Sequence, residues 1–355
     1  MPRLLSLDVL RGLALAGMIL VNNPGDWGNI YAPFEHAPFI GLTLADLVFP
    51  TFMFVMGFSI PLSLRRYDFK PSGAAMWRIV RRTLVIFLVG VLLQWFSCRF
   101  TTDFSHFRTL GVLHRLAICY GLAALLLLWI RAKYLPHLII GLLVVYLGLL
   151  QFGNGYEWST DNIVARVDAL ILGPNHMYVD EGVRLDPEGL LSTLPSLAHV
   201  LIGALLCLRL GNQLVDSRRT LAIIGLVSIV IALVMHFTGF CPIAKKVWTP
   251  SFVFVTTGIA EVTFALFIWL LDVRRLGGWW SEAFRVFGIN PLPMYVISWI
   301  LADLLGGWGI SWGLYQWYGQ WCSPCTASLL FAITFVALNW LLAWLLSCTR
   351  LVIRA

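Results

Sequence analysis

Apolar runs long enough to cross a membrane follow one another along the whole chain, separated mostly by short polar stretches. Each run approaches the roughly 20 residues that a helix needs to span the hydrocarbon core of a bilayer. This pattern predicts an all-α polytopic membrane protein with about ten transmembrane helices, built as one transmembrane domain over residues 1–355. The predicted spans are 7–23, 44–64, 83–98, 111–130, 135–151, 194–208, 220–238, 251–271, 284–305 and 327–348.

The composition narrows the class of protein further. Hydrophobic residues make up 59% of the chain and charged residues only 12%, whereas about 25% of the residues in a soluble globular protein are charged. A soluble enzyme is therefore excluded, and ten spans leave no room for a sizeable soluble domain. The one long polar connection, residues 152–193, is predicted to be a periplasmic loop, and a loop of that length usually has a function.

The positive charges are distributed unevenly between the two sides of the predicted helices. If the N-terminus is cytoplasmic, 17 of the 25 Lys and Arg residues fall in inner segments and six in outer ones. Cytoplasmic segments of membrane proteins carry an excess of Lys and Arg, so this distribution places both termini in the cytoplasm. Topology thus explains the net charge of +7, and we expect no nucleic-acid partner.

Polar side chains inside the predicted spans are the first candidates for chemistry, because a charge at bilayer depth is costly and normally faces the protein interior. In the first helix Asp8, Arg11 and Asn22 share one face, although Asp8 and Arg11 can equally form an ion pair that satisfies both charges. Asp46 lies at the start of the second helix. His36 lies in the loop before it, where a lone His is more often structural than catalytic.

A second group of candidates lies further along the chain. Glu261 is near the middle of the eighth predicted helix, and Asn290 stands where two prolines interrupt the ninth. Broken helices expose backbone groups that can bind ligands. Arg115 and Lys246, the latter close to Trp248, are cations towards the outer side and indicate an anionic partner. Pairing with the acidic residues of the long loop is the alternative.

No motif of a soluble enzyme class is present in the chain. There is no Gly-x-Ser-x-Gly elbow, P-loop, dinucleotide fingerprint or helical His-Glu-x-x-His, and no metal-ligand spacing, so we expect no metal. Cys322 and Cys325 are interpreted as a loop disulfide or as two free thiols. The residues alone leave a transporter or channel, a membrane-embedded transferase and a structural scaffold open, with a transporter slightly favoured.

Several segments nevertheless match a known family in a fixed order. The segments Arg3–Gly12, Val21-Asn22 and His36–Pro50 resemble the opening of the heparan-alpha-glucosaminide N-acetyltransferase family and its NagX-like bacterial relatives. The ordered set is more specific than any single segment, and the likeness covers nearly the whole chain. The further similar segments are Gly111–Arg115, Asp186–Thr193, Lys246–Ser251 and Gly288–Asn290.

The resemblance implies a multi-pass acetyltransferase of a bacterial inner membrane, and it suggests a homodimer. Such an enzyme moves an acetyl group from cytoplasmic acetyl-CoA to the amine of a glucosamine-type sugar on the far side. By the same resemblance His36 is catalytic and Asn22 lies beside it. We assign His36 as a general base or a transient acetyl carrier, Asn22 as an oxyanion donor and Asp46 as the residue that orients His36. An amino-sugar or small-solute transporter without transferase activity is the alternative.

The remaining candidates are assigned to the two substrates. The phosphates of CoA require Arg or Lys partners, its pantetheine arm requires a tunnel, and an acceptor ammonium requires carboxylates. Acetyl-CoA binding is assigned to Arg11, Arg81, Arg82, Arg115, Lys246, Trp248 and Asn290, and acceptor binding to Asp186, Glu188 and Glu261.

Overall fold

The computed structural model describes residues 4–349, and helices account for most of them. The helices are α1 (Leu5–Val21), α2 (Ala45–Leu64), α3 (Gly73–Ser97), α4 (Val112–Trp129), α5 (Leu135–Phe152), α6 (Ile163–Leu172), α7 (Thr193–Leu210), α8 (Arg218–Phe237), α9 (Pro250–Phe267), α10 (Trp279–Ile289), α11 (Pro291–Gly307), α12 (Ile310–Gly319) and α13 (Pro324–Cys348). A π-helical segment, Ile268–Val273, continues α9. Short 3₁₀ turns lie at Ala32–Phe34, Arg65–Tyr67, Ala132–Tyr134, Pro174–His176 and Gly211–Gln213.

The predicted all-α polytopic fold class is confirmed. Within residues 4–349, eight helices are long and apolar enough to cross a membrane, and a ninth span results if α10 and α11 count as one. These two helices meet at an angle of 86°, so the ninth predicted run is broken. The first predicted span corresponds to α1, which is not among these eight helices. It has 17 residues, one fewer than the shortest of them.

The structure differs from the predicted spans at three places. Helix α3 begins at Gly73, ten residues before the predicted start at 83, so Arg81 and Arg82 lie inside a helix and not in an inner loop. Helices α6 and α12, of ten residues each, lie in segments where no helix was predicted. The predicted cytoplasmic termini, with Arg3, Arg350 and Arg354, lie outside the described residues, and the membrane orientation stays a prediction.

The described residues divide into two compact units. The middle unit comprises Pro38–Gly41 and Met53–Val262. The terminal unit comprises the described parts of Pro2–Ala37, Leu42–Phe52 and Thr263–Ala355. The single domain predicted for residues 1–355 stays a prediction.

Close helix crossings in both units depend on glycine. In the terminal unit, a Cβ atom on Gly288 of α10 would lie 2.0 Å from the carbonyl oxygen of Asp8 in α1. In the middle unit, a Cβ atom on Gly57 of α2 would lie 2.1 Å from the carbonyl oxygen of Val200 in α7. Small residues let helix backbones approach closely and gain packing energy in a membrane, where burial from water does not drive helix association.

The long connection between α5 and α7 is an ordered part of the middle unit. It contains α6 and a two-residue hairpin in which β1 (Val179–Asp180) pairs antiparallel with β2 (Val183–Arg184). Buried apolar side chains from the segment, including Val164 and Leu185, pack with Leu150 of α5 and with Val247. Burial of these side chains holds the segment against the helices, and it thereby positions the acidic residues described below.

Candidate active site

The clearest constellation of chemical groups is a His–Asp pair in the terminal unit. The Nδ1 atom of His36 lies 2.8 Å from Oδ1 of Asp46. The other carboxylate oxygen, Oδ2, accepts hydrogen bonds from the backbone N–H of Ala37 at 3.2 Å and from the backbone N–H and hydroxyl of Thr43, both at 3.1 Å. Asp46 is completely buried, whereas the side chain of His36 is 37% exposed.

The local sequence explains why the carboxylate is fixed at this position. Asp46 is the second residue of α2, where the orphan N–H groups and the positive end of the helix dipole favour a negative charge. Thr43 closes the turn before the helix, because its carbonyl accepts the N–H of Asp46 at 3.2 Å while its own N–H and hydroxyl bind the carboxylate. The role of Thr43 was not predicted, although Thr three residues before an acidic residue at a helix start is a recognisable capping pattern.

This arrangement is suited to acid–base chemistry at the imidazole. A carboxylate that accepts from Nδ1–H fixes the tautomer of the ring and leaves Nε2 as the basic nitrogen. The ring is partly exposed, so a reacting group can approach it, while the carboxylate that orients it is shielded from water. The predicted pairing of His36 with Asp46 is therefore present in the structure, although the catalytic role of each residue stays a prediction.

Asn22 is the C-cap residue of α1 and is exposed. Its backbone N–H donates to the carbonyl of Met18 at 3.1 Å. Asn22 therefore lies at the end of the first helix, and its location on the outer side of the membrane stays a prediction. Its assignment as an oxyanion donor stays a prediction.

Two predicted acetyl-CoA residues of the terminal unit lie where α1 packs against α10. Arg11 Nη1 lies 3.3 Å from both Oδ1 of Asp8 and the carbonyl oxygen of Gly288, so the alternative of an ion pair within α1 is realised. Asn290 is buried and stands between α10 and α11, as the C-cap residue of the first and the N-cap residue of the second. Asn290 therefore occupies the break in the helix that its neighbouring prolines predict.

The predicted acceptor-binding carboxylates Asp186 and Glu188 are engaged by Arg108 in the middle unit. Arg108 binds Asp186 through Nε at 2.9 Å and Nη2 at 2.6 Å, and its Nη2 also binds Glu188 at 2.7 Å. Burial alone would lower the pKa of Arg108, but its bonds to these carboxylates outweigh burial and raise the pKa. Burial alone would raise the pKa of Glu188, but the charges of Arg108 and Arg115 outweigh it and hold that pKa below its usual value.

Arg115 joins the start of α4 to the same acidic segment. Its Nη2 atom donates to the carbonyl of Gly189 at 2.9 Å and to the hydroxyl of Ser192. Its guanidinium carbon lies 5.2 Å from the ring centre of Trp248, which is also buried. The side chain is 1% exposed, and its Nε and Nη1 atoms have no hydrogen-bond partner among the residues that the structure describes. Arg115 and Trp248, both assigned to acetyl-CoA, are thus brought together.

Lys246 anchors the hairpin of the long connection. Its Nζ atom lies 2.5 Å from Oδ2 of Asp180 and 4.1 Å from the ring centre of Trp158. The sequence left open that Lys246 pairs with an acidic residue of the long loop, and Asp180 is such a partner. The contacts give Lys246 a structural role, and its assignment to acetyl-CoA stays a prediction.

The last predicted residues lie within spans of the middle unit. Glu261 in α9 is completely buried, and neither of its carboxyl oxygens has a hydrogen-bond partner in the described part of the chain. Arg81 is exposed, while the guanidinium carbon of Arg82 lies 4.6 Å from the ring centre of Tyr120 in α4. The long aliphatic stems of such arginines allow them to lie inside an apolar helix near its end.

Neither a disulfide nor a metal-ligand group is visible between residues 4 and 349. All seven cysteines are free thiols, so Cys322 and Cys325 correspond to the second of the two interpretations. No group of three or more His, Cys, Asp or Glu side chains able to hold a metal ion is present among these residues.

The sequence of this chain is similar to that of known acetyltransferases. Residues 3–163, which contain His36 and Asp46, match the family model described as heparan-alpha-glucosaminide N-acetyltransferase, catalytic. The heparan-alpha-glucosaminide N-acetyltransferase of Homo sapiens is 29% identical over 357 residues, which cover 83% of this chain and 52% of that protein. The protein of the same name from Mus musculus is 29% identical over 372 residues, which cover 85% of this chain and 55% of that protein.

This chain is similar to the heparan-alpha-glucosaminide N-acetyltransferases of these two organisms. The family resemblance read from the short segments is thereby confirmed. The chain spans about half the length of the two relatives, so the activity and substrates of the whole relatives are carried over only as a proposal. The segment that matches the catalytic family model includes Arg115 but ends before Asp186, Glu188, Lys246, Trp248, Glu261 and Asn290.

Proposed function

We propose that this protein is an integral membrane acetyltransferase, which moves an acetyl group from cytoplasmic acetyl-CoA to the amine of a glucosamine-type sugar on the opposite side. The contact between His36 Nδ1 and the buried Asp46 carboxylate carries the proposal. The match of residues 3–163 to the catalytic region of the acetyltransferase family supports it. In the same proposal the protein resides in a bacterial inner membrane, and the homodimer suggested by the resemblance stays a prediction.

The chemistry requires a base but little further activation, because a thioester is already reactive. The sugar amine attacks the carbonyl carbon, so that a C–N bond forms as the C–S bond breaks. His36 takes the proton from the amine at Nε2 and returns it to the sulfur of the departing CoA. Asp46 holds the ring in the required tautomer, and Asn22 donates a hydrogen bond to the oxygen that becomes negative at the transition state.

The acetyl donor is a substrate with several phosphate charges, and the start of α3 offers cations for them. Arg78, Arg81 and Arg82 lie within five residues of one another on this helix. The Nε atoms of Arg78 and Arg82 are buried and have no hydrogen-bond partner in the described residues. Arginine is well suited to phosphate because its planar guanidinium can donate two parallel hydrogen bonds. These three arginines are therefore the proposed phosphate partners.

The direct test is release of CoA thiol from acetyl-CoA by the purified protein when glucosamine is added. We expect His36→Ala to reduce the rate to background while the protein keeps its unfolding temperature. His106→Ala is the matched control, because His106 is exposed in a loop and its Nδ1 atom lies 2.9 Å from the hydroxyl of its neighbour Ser105. A His36→Ala protein that acetylates glucosamine at the normal rate would rule out the assignment of His36.

A second measurement distinguishes the two mechanisms left open for His36. If the imidazole carries the acetyl group, protein incubated with labelled acetyl-CoA and no acceptor gains a label that acid-quenched peptide mapping places on His36. If His36 acts only as a base, no label is retained and transfer requires both substrates together. Asp46 orients the ring in either case, so this experiment leaves the pairing itself unaffected.

A transporter is the second candidate, and the bend between α10 and α11 favours it. Discontinuous helices with exposed backbone at the break are typical of substrate sites in secondary transporters, and these two helices meet at 86° next to Asn290. In sealed liposomes without an acetyl donor, a transporter accumulates labelled glucosamine, whereas an acetyltransferase leaves the lumen empty of label. The same preparation can be assayed for both activities.

A further inference from the structure

The connection between α2 and α3 carries a high density of positive charge. Residues 65–82 contain six Lys and Arg residues and one acidic residue, Asp68, whereas no other predicted cytoplasmic connection between spans contains more than three Lys and Arg residues. The six are Arg65, Arg66, Lys70, Arg78, Arg81 and Arg82. The orientation rule requires an excess of cations on this side of the membrane, but it does not require their concentration in one segment.

These cations are not neutralised within the protein. None of the six forms an ion pair with a residue between 4 and 349. Arg66 and Lys70 are exposed, and the guanidinium carbon of Arg66 lies 4.8 Å from the ring centre of its neighbour Tyr67. By contrast Arg285, another predicted cytoplasmic cation, pairs with Glu282 at 2.5 Å. The charges between α2 and α3 therefore indicate an anionic partner outside the protein.

A compact turn holds Arg66 and Lys70 close together. The N–H of Lys70 donates to the carbonyl of Tyr67 at 2.9 Å. Asp68 and Phe69 have positive φ angles of 51° and 54°, a conformation that costs backbone energy in residues other than glycine. Helix α3 begins three residues after Lys70. The two exposed cations are thus fixed directly beside the start of a membrane-spanning helix.

One face of α3 indicates where this turn lies relative to the bilayer. Trp77, Val80, Leu84 and Leu88 follow helical spacing and are all exposed, so this face contacts lipid in a membrane. The 25 residues of α3 extend over roughly 37 Å, which exceeds the hydrocarbon core of about 30 Å. Trp side chains are enriched at the boundary between acyl chains and headgroups. Trp77, near the start of α3, therefore marks that boundary, and the turn before it lies at the level of the headgroups.

We propose that this basic surface, defined by Arg66, Lys70 and Trp77, binds the headgroups of anionic phospholipids in the cytoplasmic leaflet. A headgroup phosphate accepts hydrogen bonds from the guanidinium of Arg66 and the ammonium of Lys70, while the ring of Trp77 packs at the start of the acyl chains. Basic segments directly beside a membrane helix are attracted to anionic lipids. The proposal does not rest on the acetyltransferase function, and it does not require the arginines of α3 that are assigned to acetyl-CoA.

The lipid selectivity of the purified protein tests the proposal. Mixed micelles contain equal amounts of anionic phosphatidylglycerol and zwitterionic phosphatidylethanolamine with the same acyl chains, and native mass spectrometry counts the molecules of each that remain bound. We expect phosphatidylglycerol to be enriched on the wild-type protein. Each cation near a membrane surface contributes about 1 kcal/mol, which converts to about fivefold in the ratio of the bound lipids. In the double variant Arg66→Gln/Lys70→Gln the ratio should therefore fall by up to about 25-fold.

The double variant Arg166→Gln/Arg184→Gln is the matched control. Arg166 and Arg184 are exposed cations of the long connection between α5 and α7, which is predicted to lie on the opposite side of the membrane. The control removes the same charge and should leave the ratio of the bound lipids unchanged. An equal fall in both double variants would show that net charge alone sets the ratio, and a wild-type ratio in Arg66→Gln/Lys70→Gln would show that the lipids bind elsewhere. Either result overturns the proposal.

A photoreactive phosphatidylglycerol locates the contact. With a diazirine in the headgroup, it should crosslink to peptides of residues 65–77 and not to the hairpin at residues 179–184, as read by peptide mass spectrometry. Crosslinks that are absent from residues 65–77, or equally frequent in the hairpin, overturn the proposal.

Excess CoA distinguishes a lipid phosphate from the phosphates of the acetyl donor. We expect the bound phosphatidylglycerol to remain in the presence of CoA, because Arg66 and Lys70 are not among the proposed donor partners. Displacement of the lipid by CoA would assign this surface to the donor and overturn the proposal. None of these measurements requires acetyl transfer, so a failure of the proposed acetyltransferase function would leave their outcome unchanged.

Discussion

Asp46 in the terminal unit and Asp186 in the middle unit are equally buried and similarly hydrogen-bonded, but the side chain that pairs with each carboxylate differs. Both are completely buried. Asp46 accepts from His36 Nδ1, from the N–H of Ala37 and from the N–H and hydroxyl of Thr43. Asp186 accepts twice from Arg108 and once each from the N–H groups of Tyr178 and Glu188. Each carboxylate thus has at least four hydrogen bonds, which is enough to compensate for its burial.

The comparison shows that the partner, and not the buried acid, decides what such a site can do. Arg108 remains protonated in a protein and holds its carboxylates as a permanent ion pair. An imidazole, unlike a guanidinium, can accept and donate a proton in a reaction, and part of the His36 ring is exposed to a reacting molecule. We therefore expect changes at Asp46 to act mainly on the reaction and changes at Arg108 to act mainly on folding.

The largest effect is expected from Asp46→Asn. The amide preserves the size of the side chain. Its one oxygen is expected to stay with the three donors from Ala37 and Thr43 that bind Oδ2, so its NH₂ group faces His36 Nδ1 and cannot accept a hydrogen bond there. The ring therefore loses its fixed tautomer and orientation. Since positioned acid–base catalysis contributes roughly 10²–10⁴-fold to a rate, kcat for acetyl transfer should fall by about that factor. The measurement is CoA thiol release under saturating acetyl-CoA.

Thr43→Val is the matched control for this substitution. It removes one hydroxyl bond to Oδ2 of Asp46 and leaves the contact with His36 in place. We expect a loss of about 1 kcal/mol in stability and a change of a few-fold at most in kcat. Equal losses of activity in the two variants would show that Asp46 acts only as a structural cap of α2.

Arg108→Met should produce the largest loss of stability. It leaves the carboxylates of Asp186 and Glu188 without their cation, and removal of one partner from a buried ion pair costs about 3–5 kcal/mol. A thiol-reactive dye can follow thermal unfolding, because Cys119, Cys207 and Cys241 are completely buried. Arg108→Lys keeps the charge but loses the two-pronged contact, so its unfolding temperature should lie between those of wild type and Arg108→Met. An unchanged temperature in Arg108→Met would show that the cluster contributes nothing to folding.

Hydropathy alone predicts most of the fold, and the misses have identifiable causes. Helix α3 was predicted ten residues late because Arg78, Arg81 and Arg82 interrupt the apolar run, although Ser72 caps the helix by accepting the N–H of Ala75 at 3.2 Å. Helices α6 and α12 were missed because each has only ten residues, about half of what a membrane span needs. The prolines around Asn290 predict an interruption, but the angle of 86° depends on packing that one sequence does not contain.

The site was predictable where its residues are close in sequence and unpredictable where they are not. His36 and Asp46 lie within eleven residues, and the position of Asp46 at a helix start together with the family resemblance indicates their association. The contact of Arg115 with Ser192 spans 77 residues. Nothing in the periodicity of α4 reveals which carbonyl or hydroxyl this arginine meets, because that contact depends on how the long connection folds back.

Asp168 provides a pH-dependent test of the acidic segment. Its Oδ1 accepts the N–H groups of Leu190 and Leu191, whereas Oδ2 is buried with no hydrogen-bond partner among residues 4–349. Burial raises the pKa of Asp168 from 3.8 to about 6, against smaller opposing effects of the two backbone bonds and Arg115. The folded state therefore holds this proton more tightly than the unfolded state.

The sign of the effect follows from linkage. The contribution of Asp168 to stability is fully present below about pH 4 and is lost as the pH rises through about 6, a change on the order of 3 kcal/mol. Asp168→Asn should flatten this decline in unfolding temperature between pH 4 and 6. Asp161→Asn is the control because Asp161 is exposed. Glu188, whose pKa is lowered, acts in the opposite direction and loses its stabilising contribution as the pH falls.

The smallest effect is expected at the other anchor of the long connection, Lys246. Its ion pair with Asp180 is partly exposed, with 17% and 30% of the two side chains accessible, and exposed pairs contribute about 0–1 kcal/mol. Its position over the Trp158 ring adds about 0.5–1 kcal/mol. Lys246→Met should therefore lower stability by about 1 kcal/mol, and a double-mutant cycle with Asp180→Asn should give a coupling of similar size. If Lys246 instead binds the phosphates of acetyl-CoA, the KM for acetyl-CoA rises severalfold in Lys246→Met but not in Asp180→Asn. That result would separate Lys246 from Arg108, whose substitution is expected to act mainly on folding.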